Sequence, residues 1–361
     1  MTSYDIAVLP GDGIGVEVMN AALEILRALE PRIGRKFTLT VHPAGAQLYA
    51  DTGNALPDST LKACRDAHAI LFGAMGLPHV RAKDGTEVIP QLDLRFALDL
   101  YAGVRPIKTW PGLPVPLRDP RAAQIDLVLV RESTEGLFYA RGRGTIEGTG
   151  EQAHALDTMK ITHQGTARVC DFSLRLAEQR KAAGKRGHVT NVDKANVFTS
   201  MAYWRQIFEQ RAQAFPGITT ENAYVDAMAL NLIMKPWQYD VLVTENMFGD
   251  ILSDLIAALV GGMGMAPSAD IGDHHAVFQP AHGTAPDIAG QGIANPSAML
   301  LSAAMMLEWL ADRHADAALA DGAQAIEKAL RTSFANKEVL PFDFGGKSTT
   351  ADIANAVLRH L

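Results

Sequence analysis

Short apolar runs alternate with longer amphipathic stretches along almost the whole chain, and that alternation leaves few architectures open. Asp5–Leu9, Ala69–Phe72, Ile125–Val130, His188–Asn191 and Val241–Thr244 are apolar and bounded by polar or glycine residues. Runs of that kind read as interior strands. Between them Gly15–Leu29, Leu61–Ala67, Leu92–Leu100, Thr166–Ala183 and Ser200–Ala214 read as helices. In the first helix Met19, Ala22, Leu23, Leu26 and Leu29 recur at helical spacing and make one apolar face. The pattern predicts an α/β protein with a mixed or largely parallel sheet and helices on both faces. Two stretches break it. Tyr101–Asp119 carries Pro106, Pro111, Pro114 and Pro116 and reads as a turning connector. Tyr139–Asp157, with Gly142, Gly144, Gly148 and Gly150, reads either as a solvent loop or as a protruding hairpin arm.

Composition narrows the function classes. The 361 residues correspond to about two domains at roughly 150 residues each. Apolar residues at 48% and charged residues at 20% exclude wholesale disorder. A net charge of −7 argues against a general nucleic-acid binder. Any anionic substrate then needs a local cationic cluster or a metal. Two cysteines, Cys64 and Cys170, make no disulfide framework and read as reduced, buried thiols. The first residues lack the basic and apolar regions of a signal peptide. Leu255–Ala269, the longest uncharged apolar stretch, is broken by Gly261, Gly262 and Gly264. It is shorter than the roughly 18–20 residues that span a bilayer. A cytoplasmic protein with no membrane or nucleic-acid partner is expected.

Gly11-Asp-Gly-Ile-Gly15 follows a strand and opens a helix, as a dinucleotide loop would. The Rossmann fingerprint requires a third glycine where Val16 stands, and no ribose-binding acid ends a second strand. A Rossmann site is therefore disfavoured. Asp250 and Asp254 are spaced i, i+4, so on a helix their carboxylates share one face. Two readings of that pair stand: anions awaiting a cation, or acids favouring a helix N-terminus. Asp226 is a further acid at a strand end. An all-oxygen set suits Mg²⁺ or Mn²⁺ better than Zn²⁺. Arg95, Arg105 and Arg131 each sit beside an apolar element. They are either structural or the forks of a dicarboxylate site. Lys194 follows a strand among small polar residues and is a candidate base.

Together these segments resemble the β-decarboxylating dehydrogenases, the family of 3-isopropylmalate, isocitrate, homoisocitrate and tartrate/D-malate dehydrogenases. The resemblance runs from Leu9–Gly15 to Gly345–Thr350. Its most specific parts are Asn246–Asp254, His282–Gly290 and Gly292–Pro296. It implies a non-Rossmann two-domain fold with a discontinuous first domain. Residues 1–100 and 261–361 would bind the cofactor, and 101–260 would carry the dimer interface and an arm at about 139–157. The resemblance also implies an active site in the interdomain cleft, completed by a second subunit of a homodimer. On this analogy Arg95, Arg105 and Arg131 bind substrate carboxylates. Asp250 and Asp254 hold Mg²⁺ or Mn²⁺ with the neighbouring chain's Asp226, and that chain's Lys194 is the base. His282 and the backbone of Gly283 and Ala285 would cradle adenosine. Asp287, with Ile288 beside it, would accept a ribose diol and repel a 2′-phosphate, which points to NAD. Asn295 would touch adenine and Ile14 the nicotinamide side.

Three departures from the family pattern stand out. Seven residues after Arg131, where the family carries a proton-donating tyrosine, this chain has Phe138, with Tyr139 next. Either a local bulge turns Tyr139 into the site, or water supplies the proton, or the reaction stops at a different product. For a role of Tyr139 the expectation is that Tyr139→Phe lowers decarboxylation more than oxidation. Before Arg95, Val88 occupies the glutamate position of isopropylmalate enzymes, followed by Gln91 and Leu92. Ile89 and Gln91 match the serine and asparagine of isocitrate enzymes, and Pro90 would start that helix late. Gln279 replaces a glutamate before the His-Gly motif, with an expected effect on domain closure. The pocket is then half apolar and half polar, and 3-isopropylmalate is the favoured substrate. Tartrate or D-malate is the nearest alternative, supported by the proline-rich Trp110–Leu117. Isocitrate or homoisocitrate follows. A non-catalytic paralogue is the rival class, with Phe138 as its only support.

Overall fold

The computed structural model describes residues 2–83 and 85–361. The chain begins with β1 (Thr2–Gly11), α1 (Ile14–Ile33), β2 (Arg35–Val41), α2 (Ala46–Thr52), α3 (Asp58–Asp66), β3 (Ala69–Ala74) and α4 (Pro90–Ala97). The middle runs through β4 (Ala102–Lys108), β5 (Asp126–Glu132), β6 (Thr145–Glu147), β7 (His154–Leu156) and α5 (His163–Ala182). It continues with β8 (His188–Asp193), α6 (Thr199–Ala212), β9 (Thr219–Tyr224), α7 (Val225–Met234), β10 (Val241–Thr244) and α8 (Asn246–Ala258). The chain then returns through β11 (Pro267–Ile271), β12 (Ala276–Pro280), α9 (Ser297–His314), α10 (Ala317–Ala335) and α11 (Thr350–His360). Among the described residues no helix is long and apolar enough to cross a membrane.

The chain divides into two compact units. The first comprises 1–100, 109–118 and 257–361, and the second 101–108 and 119–256. In the first unit the strand order is β2-β1-β3-β12-β11. All neighbours there are parallel except β11 and β12. Its interior strands are apolar on both faces, as helix-covered strands must be: Ile6, Val8 and Leu9 lie beside Ile70, Leu71 and Phe72, all buried. Helix α1 lays Val18, Met19, Ala22, Ile25, Leu26 and Leu29 into this core. Each of these side chains except Ala22 contributes about 1.5–3 kcal/mol through burial.

The Gly11–Gly15 loop has a structural explanation. Asp12 is buried and accepts the backbone N–H groups of Ala46, Gln47 and Gly76 at 2.7, 3.0 and 3.0 Å. Gly13 has φ +54°, and a Cβ there would lie 2.2 Å from the Thr284 carbonyl oxygen. The glycines thus let the loop clasp two neighbouring segments, which brings Ile14 against the stretch after His282.

In the second unit the order is β4-β5-β10-β8-β9, with β4 antiparallel to β5 and the rest parallel. The expected connector Tyr101–Asp119 therefore contains a full strand. Pro106 lies within it, opposite Val128 of β5. Residues 109–118, which the sequence groups with the central domain, pack in the first unit. Trp110 meets Phe334 edge-on with ring centroids 6.2 Å apart, and Arg331 stacks on the same indole at 5.4 Å. The boundary of the return also moves, from 261 to 257. The Gly- and Arg-rich stretch forms a small antiparallel hairpin, β6 with β7, whose residues are all exposed. Pro90 is the first residue of α4, its fixed φ suited to that position.

Candidate active site

Helix α8 organises the site of the second unit. Buried Glu245 accepts the N–H groups of Met247 and Phe248 at 3.1 and 2.7 Å and so satisfies the helix start. Burial pushes its carboxyl above the usual range. Asn246 follows, and its Oδ1 accepts from Arg131 Nε and Nη2 at 2.9 and 2.6 Å. Arg131 Nη1 donates to Asp250 one turn on. Gly249 makes room for this: a Cβ there would lie 2.6 Å from Arg131 Cγ. Burial raises the Asp254 carboxyl, and repulsion from Asp250 adds to it, while Arg131 and Arg105 act in the opposite sense. Arg105, Arg131, Asp250 and Asp254 are therefore brought together.

The chemistry of that donor set fits a divalent cation. Two carboxylates on one helix face, one of them destabilised by the other, are relieved by a cation between them. Among the described residues, however, no three His, Cys, Asp or Glu side chains converge within one chain. Asp226 stands apart from the pair and is bound to Lys194 at 2.8 Å. That ammonium holds the Asp226 carboxyl below its ordinary range. Lys194 and Asp226 line a pocket of about 370 Å³ whose other walls are Phe198, Val225, Ala229, Phe248, Ile251 and Leu252.

Phe138, not Tyr139, faces Arg131: the guanidinium carbon lies 4.9 Å from the Phe138 ring centre. Tyr139 points elsewhere, its ring held by Arg143 at 4.0 Å and Lys160 at 4.8 Å. The reason is local. Leu137–Ala140 is a 3₁₀ turn, in which successive side chains diverge by about a third of a revolution. Phe138 is thus the ring that meets Arg131, and Tyr139 the ring that meets Arg143 and Lys160.

In the first unit Gln91, Leu92 and Arg95 lie on α4. Arg95 is buried and its Nη2 donates to Asp270 at 2.9 Å. Arg95 Nε and Nη1 and Gln91 Oε1 are buried without a hydrogen-bond partner. An unpaired buried polar group costs about 1–3 kcal/mol, and a hydrogen-bonding ligand reaching these atoms would relieve that cost. Val88, at the family's glutamate position, is packed with Ala46, Leu77 and Val80.

Ile14, His282, Ile288 and Asn295 converge on one pocket of about 130 Å³. Gly264, Phe342 and Asp343 also line it, and sequence reasoning missed all three. Nothing local singles them out: Asp343 enters through a contact 48 positions away, Asn295 Nδ2 donating to its carboxylate at 3.2 Å. Burial lowers the proton affinity of His282, whose Nε2 has no partner. Gly283, Ala285 and Asp287 sit on the exposed turn between His282 and Ile288, outside the pocket lining. Apolar walls with an imidazole, an amide and the Asp343 carboxyl fit one end of a dinucleotide, and the exposed Asp287 carboxylate fits a diol.

Acids placed to draw a cation, beside arginines placed to draw carboxylates, are the equipment of a metal-assisted enzyme acting on an organic acid. The chain belongs to the isocitrate/isopropylmalate dehydrogenase family, whose model matches residues 5–357. It is thus an oxidoreductase, a β-decarboxylating dehydrogenase. It is 40% identical to 3-isopropylmalate/3-methylmalate dehydrogenase of Methanocaldococcus jannaschii over 99% of both chains. It is 42% identical to 3-isopropylmalate dehydrogenase of Aquifex aeolicus over 86% of this chain and 84% of that one. Among solved structures, isocitrate dehydrogenase from Methylococcus capsulatus matches with a TM-score of 0.87 at 34% identity, covering 99% of both chains. Apo β-decarboxylating dehydrogenase from Thermococcus kodakarensis matches with a TM-score of 0.78, also at 34% identity, over 99% and 96%.

Proposed function

We propose that the protein oxidises and decarboxylates a 3-substituted malate, with 3-isopropylmalate as its main substrate. It works as a cytoplasmic homodimer with NAD and Mg²⁺ or Mn²⁺. The observation that carries this reading is Asp250 and Asp254 on one face of α8 with Arg131 bound to the first of them. The substrate choice leans on relatives about 40% identical that carry the isopropylmalate name.

In this reading Arg95, Arg105 and Arg131 orient the two carboxylates of the malate core. Asp250 and Asp254, with Asp226 of a second copy, would hold the divalent ion. Ile14, His282, Ile288 and Asn295, with Asp287, would hold NAD. When bound, the ion supplies Lewis acidity at the substrate's C2 oxygen and NAD supplies the hydride acceptor. Lys194, once it has lost its own proton to solvent, takes the C2 hydroxyl proton as general base. Phe138 packs on Arg131 and offers no proton, so protonation at C3 after loss of CO₂ falls to water.

A second reading has its own support. Gln91 Oε1 is buried without a partner, and a hydroxyl on C3, as in tartrate, would donate to it. One panel decides: NADH or NADPH formation from 3-isopropylmalate, D-malate, tartrate, isocitrate and homoisocitrate with Mg²⁺ or Mn²⁺. The highest kcat/KM is expected for 3-isopropylmalate with NAD. A higher value for tartrate or D-malate would establish the second reading, and no turnover at all would indicate a non-catalytic paralogue.

A further inference from the structure

We infer that Asp270, steadied by Gln279, is a positioning residue that aims Arg95 at a substrate carboxylate. The inference rests on the substrate reading above. Arg95 is 4% exposed and Asp270 2%. Asp270 Oδ2 accepts from Arg95 Nη2 at 2.9 Å and from Gln279 Nε2 at 2.9 Å. One corner of the guanidinium is therefore tethered. Its Nε and Nη1 stay buried without a partner. A purely structural arginine has its donors satisfied by protein, since buried polar groups are nearly always paired. Here one nitrogen of the guanidinium is anchored and the other two are held ready for an acid.

The anchor is built on rigid elements. Asp270 lies on β11 opposite Val277 of β12, and Ser268 lies opposite Gln279. Residues 277 and 279 share a sheet face, which makes Gln279 the diagonal neighbour of Asp270. The Gln279 carbonyl in turn accepts from Ser302 Oγ of α9 at 2.7 Å. The identity of residue 279 matters chemically. Its amide donates to Asp270, whereas a glutamate would set a second carboxylate against the first with no proton to give. Asp270 and Gln279 together thus place one negative charge, in one orientation, behind Arg95.

The test uses Asp270→Asn, the exchange variant Asp270→Asn/Gln279→Glu, and Asp270→Asn in an Arg95→Met background. The readouts are steady-state kinetics on the best substrate of the panel, calorimetric affinity for D-malate with Mg²⁺, and Tm. Asp270→Asn is expected to raise KM and the D-malate Kd about tenfold while kcat changes less than about threefold, the signature of lost binding common to ground and transition states. The exchange variant returns an acid to the pair and is expected to recover most of the loss. In the Arg95→Met background Asp270→Asn is expected to add nothing, because its effect runs through Arg95. A lowered Tm with unchanged KM and Kd would reduce Asp270 to a structural role and overturn the inference alone. A wild type that neither binds D-malate nor turns over any of the panel would overturn the substrate reading and the inference together. Should Asp270→Asn not fold, Gln279→Leu keeps the ion pair and removes only the amide. A severalfold rise in KM is expected for it, and no rise would overturn the inference.

Discussion

Two adjacent aromatic residues face different cations. Phe138 covers Arg131, and Tyr139 is turned to Arg143 and Lys160. Phe138→Tyr places a phenol where only a hydrocarbon ring now stands. It is expected to speed formation of the final keto acid about tenfold, within the range for general acid catalysis. Tyr139→Phe keeps a ring for both cations and is expected to change oxidation and decarboxylation less than about twofold. Separate assays of NADH and CO₂ release distinguish these outcomes; a selective loss of CO₂ release in Tyr139→Phe would return the acid role to Tyr139. His282 supplies a pH dependence. Burial sets its proton affinity below the ordinary 6.5, so the unfolded chain takes up a proton before the folded one does. The stability that His282 contributes is full above pH 6.5 and is lost as pH falls toward the folded value. Chemical denaturation between pH 7.5 and 5.5 is expected to lose that slope in His282→Asn.

At the level of elements, α8 shows how the fold spends a glycine. A glycine inside a helix ordinarily costs about 0.5–1 kcal/mol relative to alanine. Gly249→Ala would therefore stabilise an isolated helix, but here the methyl would meet Arg131 Cγ at 2.6 Å. Arg131 would have to leave Asn246 and Asp250. A fall in kcat/KM of about tenfold or more is expected, carried mainly by KM, since a displaced bidentate anchor removes carboxylate binding. Unaltered kinetics would mean that Arg131 does not use this path. The spacing of Asp250 and Asp254 was legible beforehand because i, i+4 geometry is a property of any helix. The need for Gly249 was not, because the clash is with a strand 118 positions earlier.

For the whole molecule, the exposed apolar side chains of the second unit argue for a second copy. Leu230 and Met234 of α7 are 63% and 65% exposed, and Ile146 of the hairpin is 81% exposed. Patches of that kind mark interaction sites. Under the proposal that Lys194 and Asp226 are lent across a dimer, Lys194→Met and Asp254→Asn should each be inactive alone. Each mixed dimer would then carry one intact site of two. Refolding an equal mixture is expected to restore about a quarter of wild-type activity, as random pairing in a two-fold dimer requires. No recovery would place both groups in one chain. Sequence alone determined the α/β pattern, the shared face of the two aspartates, the positions of Arg131 and Lys194 at or just after strands, and the family. Each of these follows from local periodicity or from a motif continuous in the chain. Only the tertiary structure decided that Arg131 reaches Asn246, 115 positions away, and Arg95 reaches Asp270, 175 positions away. It also decided that Phe138 rather than Tyr139 turns to Arg131, and that residues 109–118 join the first unit. Those outcomes depend on which side chains packing brings face to face, and no spacing along the chain encodes that.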